Sequence, residues 1–108
     1  MTPLREYAEH WFAHTDLRIE RPNSLTLSKN WIGQVTSARP GFDSELRQIA
    51  LAALNSPQRV LVHRGLAALA VIGTAEDLPA VEPLIPNPDP YIGGAASTAH
   101  FEIAHRAA

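Results

Sequence analysis

The stretch Val62-His63-Arg64-Gly65-Leu66-Ala67-Ala68-Leu69-Ala70-Val71-Ile72-Gly73 decides how this chain is read. It is apolar on most sides, it closes on a glycine, and it has a diluted counterpart thirty residues later. Leu54, Val62, Leu66 and Leu69 map onto Leu84, Ile92, Ala96 and Ala99. The same place in each copy is punctuated by Asn55-Ser56-Pro57 and by Pro86-Asn87-Pro88-Asp89-Pro90. A period of this length marks a stacked supersecondary unit, in which each copy buries its apolar face against the next. Such units present surfaces to partners more often than they carry chemistry.

Working outward, the apolar spacing predicts six helices and no convincing strand. The first follows Thr2-Pro3, read as cap and first residue, and places Leu4, Tyr7, Ala8, Trp11 and Phe12 on one side as far as His14 or Thr15. Leu17 and Ile19 alternate with charges up to Pro22, which suggests a short extended segment. A second helix is expected over 24–38, with Leu27, Trp31, Ile32 and Val35 on one side. Arg39-Pro40-Gly41 breaks the chain, and Asp43 or Ser44 caps a third helix ending near Leu54. The fourth, about 57–72, should be the most buried, with Gly73 at its C-terminal glycine position. Thr74 caps a fifth helix, about 75–85, with Glu76 and Asp77 as first-turn acids; Pro79 fits its start, whereas Pro83 should kink or shorten it. The sixth, about 89–105, opens on Asp89-Pro90, and its Gly93-Gly94-Ala95-Ala96 run admits a close neighbour.

Residues 44–104 resemble the HEAT-repeat family in its short bacterial form. Residues 62–73 look like the second helix of a repeat, Asp77–Ile85 like the next first helix, and Asn87–Ile92 like the next turn. The family often has arginine directly after the branched residue that opens the second helix; here His63 and Gly93 stand there. The N-terminal part matches loosely, although Ile32 lies thirty residues before Val62. The resemblance implies an all-α fold of stacked antiparallel helix pairs, a HEAT-like α-solenoid of two to three repeats. It would form one domain over 1–108: a divergent helical cap at 1–43, a repeat at 44–73 and a repeat at 74–105. Stack ends without a polar capping repeat favour a partner or a homodimer.

Composition narrows the function classes. The 108 residues suit a single core, and the absence of cysteine excludes disulfides and cysteine-rich zinc sites. The N-terminus is charged where a signal peptide needs apolar residues, and no run approaches the roughly 18 apolar residues of a membrane span. The expectation is a soluble, cytoplasmic protein. Net charge is −2 but uneven: residues 1–64 hold eight Lys/Arg against six acids, while 65–108 hold Glu76, Asp77, Glu82, Asp89 and Glu102 against Arg106 alone. An acidic half repels phosphates and suits a basic protein partner. Arg39, Arg47, Arg59 and Arg64 are the only basic cluster that could serve nucleic acid, and in a net-negative chain they make a weak footprint.

No catalytic set emerges. His10 and His14 share a helix face, but Glu-His-Trp-Phe-Ala-His is not the His-Glu-x-x-His order of zinc proteases and offers no third ligand. His63, His100 and His105 read as isolated surface or capping residues, His105 and Arg106 suiting a helix C-terminus. The serines lack a nucleophile elbow, and Gly93-Gly94 lacks the lysine of a phosphate loop. Trp11 and Trp31 read as core aromatics. Short HEAT-like repeats also occur in lyase-type proteins acting on bilins, but no acid–base pair supports catalysis here. The expectation is a non-enzyme without metal or cofactor. Its size and acidic half look like those of an immunity protein, which neutralises a cognate bacterial toxin, here a basic domain, by stoichiometric binding. Under that resemblance the partner contacts are Glu76, Asp77, Glu82, Asp89, Tyr91 and Glu102. The alternatives are a scaffold or accessory subunit of a larger complex, and a nucleic-acid-binding repeat protein.

Overall fold

Apolar residues at helical spacing fold into helices here, and prolines and glycines set where they stop. The computed structural model describes residues 3–19 and 23–107, and these are all-helical, with no strand among them. The helices are α1 (Leu4–His14), α2 (Ser24–Ala38), α3 (Phe42–Ala53), α4 (Arg59–Ile72), α5 (Leu78–Val81) and α6 (Pro90–Ala107), with 3₁₀ turns at Ala75–Asp77 and Glu82–Leu84. The expected cap Thr2 and the stop Pro22 lie outside the described residues. Pro3 stands before α1 rather than inside it: its ψ of 144° is extended, and its carbonyl accepts the Tyr7 amide at 3.0 Å.

α3 begins at Phe42, one residue before the expected cap. Gly41 takes φ +91°, a left-handed conformation that only glycine adopts without strain. That turn drives Phe42 fully into the core, where the edges of Tyr7 and Trp11 meet its ring at centroid distances of 5.9 and 5.1 Å. The fifth segment is not one helix. Pro79 and Pro83 each lack the amide that would continue the hydrogen-bond ladder, so it divides into a 3₁₀ turn, one turn of α-helix and a second 3₁₀ turn. α6 opens as expected, with Asp89 Oδ1 accepting the Tyr91 amide at 3.0 Å.

α4 is the centre of the fold, packed by α6, α3 and α2, while α1 packs on α3. Val62, His63 and every residue from Gly65 to Ala70 are buried, as its composition predicts. Small side chains let the neighbours close in. A Cβ on Gly65 would lie 2.7 Å from the Ala50 carbonyl oxygen of α3. Gly73 is also a matter of space, and the expected left-handed cap is not formed: its φ of −63° and ψ of 155° are open to any residue. A Cβ there would come within 2.7 Å of Ile103 Cδ1. Two arginines close helix C-termini from a distance. Arg64 donates to the Phe12 and Thr15 carbonyls at the end of α1. Arg106 donates to Ala70, Leu69 and Gly73 oxygens at 2.5, 3.3 and 3.0 Å, so it serves α4 rather than its own helix. Trp11 packs on the core, whereas Trp31 is half-buried outside it, on the same helix as the half-exposed Leu27.

The packing yields a contrast in glycines. Gly65→Ala must push the α3 backbone away and should lower stability by about 1–3 kcal/mol. Gly33→Ala, with nothing within 4 Å of the added Cβ in mid-α2, should raise it by about 0.5–1 kcal/mol. Urea unfolding of the two variants reads both signs.

Candidate protein-binding surface

The acids singled out by the sequence meet very different partners. Asp77 is 2 % exposed. Its carboxylate accepts Arg47 Nε at 2.8 Å and Nη2 at 2.7 Å, and the Thr74 amide at 2.8 Å. The Asp77 amide in turn donates to the Thr74 side-chain oxygen, completing a capping box. Asp89 repeats the arrangement thirty residues from Arg59, accepting its Nε at 2.7 Å and Nη2 at 3.0 Å. The Arg59 guanidinium also lies 4.3 Å over the Tyr91 ring, and Tyr91 stacks on His63 at 4.1 Å and 12°. His63 is 1 % exposed, so the expected surface histidine is a buried one: the period puts it on the core-facing side of α4, under Tyr91.

The electrostatics follow from these contacts. Burial alone would raise the Asp77 carboxyl, but the Arg47 guanidinium and the Thr74 amide hold it below its ordinary value. The Arg59 bond does the same for Asp89, against a smaller opposing effect of desolvation. Both pairs bring an arginine of the first half to an acid of the second. The acidic half is therefore less charged than the sequence suggests. Glu76 remains 86 % exposed, 3.6 Å from Arg47. Glu82 is 57 % exposed, 3.4 Å from His100 Nε2. Glu102 faces α2, 4.0 Å from Lys29 Nζ.

Of the six expected contacts Asp77 is therefore buried, Asp89 and Tyr91 are half-buried against Arg59, Glu102 lies toward α2, and Glu76 and Glu82 are exposed. The sequence reading missed a different feature. Ile85, Ser97, His100, Phe101, Ala104 and His105 line an open groove of about 450 Å³ on the outer face of α6. Phe101 is 65 % exposed there and stacks on His105 at 5.9 Å. The signal was present but ambiguous: Phe101 follows Ala99 and His100 in a generally apolar helix and reads as another packing residue. Glu82, beside His100, brings negative charge to this groove.

The basic cluster considered for nucleic acid is engaged within the chain. Arg47 and Arg59 hold the two aspartates, Arg64 holds carbonyls, and Arg39 lies 4.0 Å over the Tyr7 ring. His10 and His14 stack at 4.2 Å, with His14 Nδ1 2.9 Å from the His10 carbonyl oxygen. Among the described residues no group of three or more His, Cys, Asp or Glu side chains could hold a metal ion, and no helix is long and apolar enough to cross a membrane. The chain matches no family model, no curated protein and no solved structure.

The lowered carboxyls fix a sign for acid stability. A carboxylate depressed in the folded state stabilises it above the unfolded value of about 3.9, and that stability is lost as pH falls through the folded value. Unfolding midpoints should therefore hold from pH 7 to about pH 4 and fall below it. Asp77→Asn should cost about 1.5–3 kcal/mol at pH 7 and flatten the acid limb. Urea midpoints of both proteins between pH 2 and 7 check it.

Proposed function

We propose that this chain is a non-enzymatic protein-binding module, a short HEAT-like stack of antiparallel helix pairs, acting as an immunity protein that neutralises a basic cognate toxin by stoichiometric binding. The stack reading is supported by the two ion pairs, Arg47–Asp77 and Arg59–Asp89, which join positions one period apart. The packing of α4 between α3 and α6 supports it too.

The observation that carries the binding reading is the fate of Arg106. It is the sole Lys or Arg from Gly65 onward, and its guanidinium is turned onto three carbonyls of the α4 terminus. Glu76 and Glu82 stand outward with no Lys or Arg of their own half beside them, Glu76 3.6 Å from Arg47 and Glu82 3.4 Å from His100. Such a surface draws a basic partner and suppresses acidic ones. Under this reading the protein works in the cytoplasm and covers a positively charged region of the toxin.

The test is co-expression with basic toxic proteins encoded beside it, read by growth rescue and by the stoichiometry of the purified complex. One such protein should be neutralised at 1:1. The Glu76→Lys/Glu82→Lys double variant should bind it about tenfold or more weakly and with a shallower salt dependence. Rescue that needs no complex, or a complex that leaves the partner fully active, would overturn the immunity reading.

A further inference from the structure

The groove on α6 has a counterpart one period earlier. Ser97, His100 and Phe101 map onto Ala67, Ala70 and Val71 of α4, and Ala67 and Ala70 are completely buried. That part of α4 is where α6 lies: Arg106 bonds the Ala70 carbonyl, and Ile103 fills the space beside Gly73. The outer face of α6 thus occupies the position on which the next element of the series would pack, and it is open.

Its side chains differ from those of the covered face in a consistent direction. The buried Ala67 and Ala70 are replaced by Ser97 and His100, and the half-buried Val71 by the larger Phe101. Permanent contacts between packed elements are the more apolar, whereas reversible interfaces surround an aromatic anchor with a polar rim. Phe101 is the anchor, and Glu82 supplies a negative rim. We infer that this groove receives an amphipathic helix of a basic partner protein, laid on α6 as α6 is laid on α4. Aliphatic or aromatic residues of that helix pack on Phe101 and Ile85, and a Lys or Arg at its edge pairs with Glu82. The inference rests on the binding-module reading above and names where, and through what chemistry, the partner binds.

The test selects a displayed library of amphipathic helices, one face randomised, against the whole chain, and then measures the selected peptides individually. They should carry apolar residues along one face with Lys or Arg at its edge. Their affinity should drop about tenfold or more for Phe101→Ser and for Glu82→Lys. Phe101 and Glu82 are exposed, so both variants should keep the circular dichroism of the parent. Peptides that bind both variants undiminished, or no enrichment beyond that obtained against Phe101→Ser, would overturn the inference. So would a dimer in sedimentation that Phe101→Ser dissolves, since the face would then belong to a second copy. If a cognate toxin is neutralised while these peptides ignore the groove, the location alone fails. If the groove selects basic helices and no toxin is neutralised, the immunity reading alone fails.

Discussion

The Asp77 carboxylate is the constraint around which the rest is arranged. It is the one charged side chain buried among the described residues, and a buried charge destabilises a fold unless it is paired and its lone pairs are filled. Arg47 supplies two donors from α3 and Thr74 a third from the backbone. One carboxylate thereby ties α3 to the turn that follows α4 and starts the short α5. Because α3 and that turn are both held, α4 is fixed between them. Its small residues can then accept the close approaches at Gly65 and Gly73. Arg59 and Asp89 repeat the tie between the starts of α4 and α6, in a more exposed setting.

Helix ends receive the same economy of means. Arg64 and Arg106 reach back from α4 and α6 to the terminal carbonyls of α1 and α4. Burial lowers the affinity of Arg64 for its proton, yet a guanidinium starts so high that it stays charged. These long-range caps have a functional consequence. They turn two arginines onto backbone carbonyls, so the outward Glu76 and Glu82 are met only by Arg47 at 3.6 Å and His100 at 3.4 Å. The face of α6 that carries Ser97, His100, Phe101, Ala104 and His105 lines, with Ile85, an open groove beside Glu82.

Much of this was legible in the sequence, for reasons that are local. Helical spacing located α2 to the residue, and the Asp89-Pro90 pair located the start of α6. Apolar residues on most sides identified α4 as the most buried helix. Pro83 announced a kinked or shortened fifth helix, whereas Pro79, expected to fit its start, also helps to break it. What escaped was set by tertiary partners. Asp77 reads as a first-turn acid on a surface, and only Arg47, thirty residues away, makes it internal. A trace of this was available: Arg47 and Asp77, and again Arg59 and Asp89, stand one period apart. His63 could not be told from a surface histidine until Tyr91 was seen stacked on it. Phe101 resembled a core residue because apolar content alone does not say which face of α6 has a neighbour.

The most direct measurement of the central claim is a double-mutant cycle on Arg47→Ala and Asp77→Ala, read by urea unfolding at pH 7. If this pair ties α3 to the turn after α4, the two losses should fall short of additivity by about 1–3 kcal/mol, since either change alone already removes the tie. Strictly additive losses would show that Asp77 acts only as a local cap and that α3 is held to the turn after α4 by other contacts.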